Sequence, residues 1–325
     1  MTISHAAASL SAATVAAALL AAPVHAQTAT TVDSHIAAAK AAAGTEHVAL
    51  FDALCRPASG PPPAATGPRP VPDRSTWHAE PVKVFDNLYY VGEKEYSAWA
   101  VVTSDGIIIV DTIWAHSVED EIVDGLKKLG FDPAKIKYAI VSHAHIDHIG
   151  GAKFLQDRYG TRIVMSAADW DFAEKSPRLP AAIKPRRDVV AADGDKLTLG
   201  DTTLSIHLTP GHTPGTISLL IPVKDAGRPH LVATWGGTGF NFELSEANFQ
   251  TYIDSAVKYH DVVAKSGADI LLSNHTIFDG SRTKLPAMAT RKAGDPHPYV
   301  IGNGAVQRYV EVAQECARAN LLRLK

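Results

Sequence analysis

Tyr138-Ala139-Ile140-Val141-Ser142-His143-Ala144-His145-Ile146-Asp147-His148 is an apolar run that opens directly into a loop carrying three histidines and a carboxylate. The apolar part reads as a short buried strand, and a tight loop after it can project alternate side chains toward one point. His143 and His145 can then share one cation while Asp147 and His148 reach a neighbouring one. Neutral imidazole nitrogens with one hard oxygen suit Zn²⁺ and leave room for water. A lone histidine is more often a core or surface residue, but that reading does not explain an HxHxDH string at a strand end.

Two further histidines follow apolar strand patterns. They are His212, in Leu208-Thr209-Pro210-Gly211-His212-Thr213-Pro214-Gly215-Thr216, and His275, in Ile270-Leu271-Leu272-Ser273-Asn274-His275. Gly211 and Gly215 permit positive φ and close backbone approach, and the prolines stiffen the loop that holds His212. With the first motif they make six candidate ligands, enough for two zinc ions per chain with three protein ligands each and water in the remaining positions.

HxHxDH, then a histidine in a GHTPG loop, then a late histidine: this order resembles the metallo-β-lactamase fold superfamily of zinc hydrolases and looks closest to its third subclass of metallo-β-lactamases. The likeness covers roughly residues 80 to 290, including Asp86-Asn87-Leu88-Tyr89-Tyr90-Val91-Gly92 and Asp105-Gly106-Ile107-Ile108-Ile109-Val110-Asp111. The resemblance implies an α/β layered fold, a four-layer αββα sandwich with the metals at one edge. It also implies that His143, His145 and His212 hold the first zinc, and that Asp147, His148 and His275 hold the second. The late position in that subclass is a histidine, and this chain has no cysteine near it.

Two zinc ions about 3.5–4 Å apart would bring a shared water toward neutral pKa, giving a hydroxide that attacks a carbonyl without a serine or cysteine nucleophile. Asp147 is the candidate catalytic residue, orienting that water and carrying its proton. Asp111, at a strand end, is the candidate for fixing a histidine tautomer from behind, with a turn acid as the plain alternative. The stretch Val232-Ala233-Thr234-Trp235-Gly236-Gly237-Thr238-Gly239-Phe240-Asn241 holds neither the metal-bridging aspartate of many superfamily hydrolases nor the substrate-binding serines of the third subclass. This disfavours the lactonase, thioesterase and iron-dioxygenase branches and leaves Thr238 or Asn241 as replacement hydrogen-bond donors. The glycines there read as allowing close backbone approach. His297 reads as a cleft-mouth or exposed-loop residue, Trp114 and His116 as a pocket wall or solvent loop, and His207 as structural.

The chain has 325 residues, 46% hydrophobic and 20% charged, an ordinary globular composition. Its 31 basic and 34 acidic residues give a net charge of −3 with no basic run, which argues against nucleic acid and for a small-molecule substrate. Residues 1–26 contain no Lys, Arg, Asp or Glu, are rich in Ala and Leu, and end in Val24-His25-Ala26. They read as a secretory signal peptide, placing the protein in the periplasm or outside the cell; a retained apolar anchor is the alternative. No other stretch is long and apolar enough to span a bilayer. Cys55 and Cys316 can pair in an oxidising compartment, or stand as separate thiols.

Residues 27–79 read as an N-terminal extension, with a helix-compatible stretch at 33–54 packed on the outside and a connector containing Pro57, Pro61, Pro62, Pro63, Pro68, Pro70 and Pro72. The catalytic domain is expected over 80–290 and a C-terminal extension or helix over 291–325. Strands are expected at Val82-Phe85, Leu88-Val91, Ala98-Thr103 and Ile107-Asp111, with helices at 117–129 and about 151–159. A second strand-rich half runs from Val189 to Ala233, before a helix at about 246–265. The function expected is a secreted dinuclear zinc hydrolase acting on a β-lactam-like cyclic amide or related carbonyl compound. Alternatives are an iron-dependent oxidoreductase of the same fold and a periplasmic metal-binding protein without turnover. Oligomeric state is left open.

Overall fold

The computed structural model describes residues 30–61 and 70–325. The signal-like segment and Pro62, Pro63 and Pro68 of the connector lie outside the described residues. Thr31–Lys325 form one compact unit. In chain order the elements begin with α1 (Val32–Ala43), α2 (Val48–Leu54), α3 (Arg74–Trp77), β1 (Val82–Lys83), β2 (Leu88–Tyr90), β3 (Trp99–Thr103) and β4 (Gly106–Val110). Then come α4 (Asp124–Lys128, entered through a π-helical turn Glu119–Val123), β5 (Ile136–Ile140), α5 (Ile146–Ile149), α6 (Ala152–Tyr159), β6 (Arg162–Ser166), α7 (Ala167–Lys175) and β7 (Val189–Ala191). The second half holds β8 (Lys196–Leu199), β9 (Thr202–Leu208), β10 (Ile217–Asp225), β11 (Arg228–Trp235), α8 (Glu246–Ser266), β12 (Ile270–Ser273), α9 (Ser281–Thr290) and α10 (Asn303–Leu322).

The strands form a seven-stranded sheet, β1 through β7 in order, and a five-stranded sheet ordered β12-β11-β10-β9-β8. The β3–β4 hairpin pairs Thr103 with Gly106, while β4, β5, β6 and β7 run parallel and are linked by helices, as parallel pairing requires. The run Ile107-Ile108-Ile109-Val110 is apolar at every position because β4 is buried on both faces. Ile107 and Ile109 meet Ile122 of the π-helical turn, Leu126 of α4, Leu155 of α6 and Trp170 of α7. Ile108 and Val110 face Leu204, Ile217, Leu219 and Val232 of the other sheet. A third core covers the outer face of the second sheet, where Trp235 packs with Phe249, Tyr252 and Tyr259 of α8 and with Tyr309 and Val310 of α10. The architecture is therefore a four-layer αββα sandwich.

Three expectations change. Residues 33–54 form α1 and α2, broken at Gly44, and they are part of a core instead of lying on the outside: Ala39, Ala42, Ala43, Leu50 and Leu54 are buried in the cluster containing α10. The buried face of α1 is built largely from alanines, which carry little hydrophobicity but allow close helix approach. The strand-rich stretch from Val189 is divided between the sheets, because β7 pairs parallel with β6 and only β8 onward enters the second sheet. His297 is neither at a cleft mouth nor exposed; it is buried, its Nε2 within 2.8 Å of Val84 O and its ring stacked on Phe85 at 4.0 Å. His207 lies in β9 with its ring 5.9 Å from Tyr259. Among the described residues no helix is long and apolar enough to cross a membrane.

Cys55, at the end of α2, is disulfide-bonded to Cys316 in α10, with their Cα atoms 4.5 Å apart across 261 residues of sequence. The bridge ties the N-terminal helices to the last one. Closing so long a loop restricts the unfolded chain strongly, so reduction, or Cys55→Ser with Cys316→Ser, should cost about 2–5 kcal/mol, read as a lower midpoint in denaturant.

Candidate metal centre

Both sheets bring strand ends to the same edge. After β5 the chain stays clamped between them, since Val141 N donates to Val164 O at 3.0 Å on the first sheet's side while Ile217 N of β10 donates to Ser142 O at 2.7 Å. His143 and His145 follow, and His145 caps α5, whose first turn carries Asp147 and His148. His212 sits in the β9–β10 loop, closed at its neck by Thr209 N donating to Thr216 O at 2.8 Å. Gly211 has φ 141°, and a Cβ there would lie 2.7 Å from Tyr252 Cα, so this loop can lie against α8 only with glycine at that position. His275 follows β12, and its loop is pinned by Ser97 N donating to Asn274 O at 2.8 Å and Thr276 N to Glu95 O at 3.0 Å.

These elements bring all six residues together in two groups. His143, His145 and His212 form one, and Asp147, His148 and His275 the other; in each, the ligand-type atoms lie within 4.8 Å of one another. The tautomers follow from the backbone. His143 Nδ1 lies 2.7 Å from Gly236 O and His212 Nδ1 2.5 Å from Gly239 O, and a carbonyl only accepts, so both rings carry their proton on Nδ1. Each Nε2 is then a bare lone pair. The two Nε2 atoms are 3.1 Å apart, and His145 Nδ1 is 3.0 Å from that of His212. Burial, reinforced by neighbouring imidazoles, pushes His143 well down, His145 to about 3 and His212 to about 4, so all three are neutral at pH 7. Buried lone pairs that face one another repel, and a cation relieves the repulsion.

The second group is built differently. His148 is fully buried, its Nδ1 3.0 Å from Asp111 Oδ2, while its Nε2 makes no hydrogen bond and faces Asp147 Oδ2 at 3.4 Å. His275 Nε2 is 3.9 Å from the same oxygen. Burial works against charge on His148, but Asp147 and Asp111 outweigh it and raise the ring to about 10. Burial likewise favours a neutral Asp147, yet His148 and then His275 hold its carboxyl well below the ordinary range. Burial, with His148 beside it, takes His275 to about 4. Without metal, a proton on His148 occupies the role a cation would take.

Asp111 is no turn acid. It is buried at φ 61°, with Oδ1 accepting from Ser142 N at 2.7 Å and Oδ2 accepting from Ser142 Oγ at 3.0 Å and Asn274 Nδ2 at 2.5 Å, besides facing His148. One carboxylate thus ties the first ligand loop to the last. Ser142 and Asn274 were not singled out in the sequence; their only signal is adjacency to His143 and His275.

The glycines of 236–239 act through close approach. A Cβ on Gly236 would fall 1.7 Å from Ile217 O, and one on Gly237 2.5 Å from His212 Cβ. Thr238 is buried with its hydroxyl 3.4 Å from Ser273 Oγ, and Asn241 is exposed. Tyr96 stands 5.7 Å from the ring of Trp114 and 5.2 Å from that of His275. His116 turns toward Trp77 at 5.4 Å. Phe172 stands 6.0 Å from His145, and Phe278 5.8 Å from His275.

Fold and site together define a four-layer protein with two metal-capable ligand groups at the shared sheet edge. The metallo-β-lactamase superfamily model matches residues 91–226 of this chain. An N-acyl homoserine lactonase of a Bacillus species is 37% identical over 164 residues, 49% of this chain; the match spans only 63% of the lactonase's own length. Among solved structures, BJP-1, a subclass B3 metallo-β-lactamase of Bradyrhizobium japonicum, is 29% identical with a TM-score of 0.62, covering 74% of this chain and 94% of its own. A metallo-β-lactamase of Cronobacter sakazakii is 27% identical with a TM-score of 0.61, covering 73% and 92%.

Metal uptake should differ between the groups. Below about pH 10 the His148 ring is protonated in the metal-free protein, so filling the second group displaces that proton and its affinity falls as pH falls, by about tenfold per unit. The first group, already neutral, should be insensitive between about pH 8 and 6. Calorimetry of zinc uptake in buffers of different ionisation enthalpy should find proton release with the second group only. Asp111→Ala should weaken that group by about 10- to 100-fold in chelator competition.

Proposed function

We propose that this chain is an exported dinuclear zinc hydrolase that opens a cyclic amide of the β-lactam type or a related activated carbonyl. The observation that carries the reading is the split of six donors into two triads, with the His143 and His212 Nε2 lone pairs fixed by Gly236 and Gly239 and the His148 ring oriented by Asp111. Five imidazoles and one carboxylate are a donor set that suits zinc. Three protein ligands per ion leave positions for water and substrate. Bound zinc supplies Lewis acidity, polarising a carbonyl oxygen and acidifying water into the neutral range.

The protein's own residues supply the rest. Asp147, held ionised, can orient water and take its proton. Tyr96 stands beside His148 and His275 of the second group, and Phe172 and Phe278 give the surroundings an apolar character suited to a small organic substrate. Close packing at Gly236 and Gly237 leaves no room for an acidic side chain there, which weighs against the iron-dependent alternative and against a lactone alike. Coverage of nearly the whole of BJP-1 favours the cyclic amide. A lactone is the second reading, favoured by the higher identity to the homoserine lactonase. Export is supported by the Cys55–Cys316 bridge, since disulfides persist in oxidising compartments. The exported protein should begin near Gln27, and N-terminal sequencing checks this.

Reconstituted protein should bind two zinc ions per chain by elemental analysis, and His212→Ala should lose mainly the first. The loaded protein should hydrolyse members of a penicillin, cephalosporin, carbapenem and acyl-homoserine-lactone panel. Asp147→Asn, compared at saturating zinc, should lower kcat by about 10²-fold or more with a smaller change in KM. No hydrolysis anywhere in the panel by protein holding two zinc ions would point to the non-catalytic alternative.

A further inference from the structure

We infer that Asp169 is a positioning residue for the first ligand group, its single carboxylate locking together the two loops that carry His143, His145 and His212. The inference rests on the metal reading above and extends it to a residue outside both triads. Asp169 lies in the first turn of α7 and is 1% exposed. Its Oδ2 accepts from Ala144 N at 2.8 Å and from Thr213 Oγ1 at 2.8 Å, and its Oδ1 accepts from Gly215 N at 2.7 Å. Ala144 stands between His143 and His145, and Thr213 directly follows His212.

The two loops belong to different sheets. One follows β5 of the first sheet and the other joins β9 to β10 of the second, so no ladder within one sheet sets their spacing. A third element, the start of α7, spans them. Ser166, the cap of that helix, accepts from Asp169 N at 3.2 Å and donates its hydroxyl to Gly215 O at 2.7 Å. A Cβ on Gly215 would sit 1.9 Å from Ser166 Oγ and 2.6 Å from Asp169 N, so only a glycine lets the His212 loop reach the helix start. Asp169 thus adds a side-chain link behind the His143 and His212 Nε2 atoms, 3.1 Å apart, to the backbone bond from Ile217 N to Ser142 O. Asp111 makes the corresponding link to His148 and, through Asn274, to the His275 loop. Asp169 differs from Asp111 in that its hydrogen bonds reach only the loops of the first triad, whereas Asp111 bonds Ser142 as well as His148 and Asn274.

The test is zinc affinity measured one group at a time, with His275→Ala reporting the first and His212→Ala the second, by chelator competition with Zn²⁺ at constant pH. Adding Asp169→Ala should weaken the first group by about 10- to 100-fold, leave the second within about threefold, and reduce the visible absorption of Co²⁺ in the first group. Equal weakening of both groups would mean a general structural role and overturn the inference, as would unchanged affinity at the first. Should Asp169→Ala fail to fold, Thr213→Val, which removes one of the three bonds, decides: a selective loss at the first group supports the inference and none overturns it. A parent protein that takes up no zinc in either group overturns the metal reading itself, and that is visible before Asp169 is altered.

Discussion

Neutral imidazoles buried with their lone pairs pointing at one another are the constraint on which the rest of this structure depends. His143 and His212 cannot turn their Nε2 atoms away, because Gly236 O and Gly239 O hold the opposite nitrogen of each ring. His148 is oriented by Asp111 through Nδ1, which turns its Nε2 toward Asp147. His143 and His212 each trade hydration for one fixed hydrogen bond and leave their Nε2 atoms facing one another at 3.1 Å. A cation would satisfy both groups, relieving that repulsion in the first and replacing the His148 proton in the second.

Holding loops so rigidly takes a large scaffold. The inter-sheet core, with Ile108, Val110, Leu219 and Val232, sets the distance between the sheet edges from which the loops emerge. The helices outside the second sheet extend this support to α8, whose Tyr252 packs beneath Gly211. The disulfide between α2 and α10 keeps the outermost helices in place behind it. Chemistry at one edge is thus supported by packing throughout the described chain.

Much of this was legible in the sequence, for physical reasons that also mark where legibility ended. HxHxDH could be read because its ligands are local and end an apolar strand, and His212 because Gly211 and Gly215 punctuate its loop. The strand-ending position of Asp111 marked it out, although its φ of 61° did not show. Asn274 escaped because its partners Ser142 and Asp111 are 132 and 163 positions away, and Asp169 because it meets Ala144 and Thr213 across 25 and 44. No local pattern encodes such contacts. The packing of α1 was hidden because alanines carry a weak hydrophobic signal, and His297 because a polar residue in a Pro-flanked stretch gives no sign of stacking on Phe85.

The proposed function requires two cations at this edge, each held by the triad named for it. A zinc-edge anomalous difference map from crystals of the zinc-loaded protein tests it most directly. Two peaks about 3.5–4 Å apart are predicted, one bounded by His143, His145 and His212 and the other by Asp147, His148 and His275. A single peak, or peaks bounded by other residues, would contradict it.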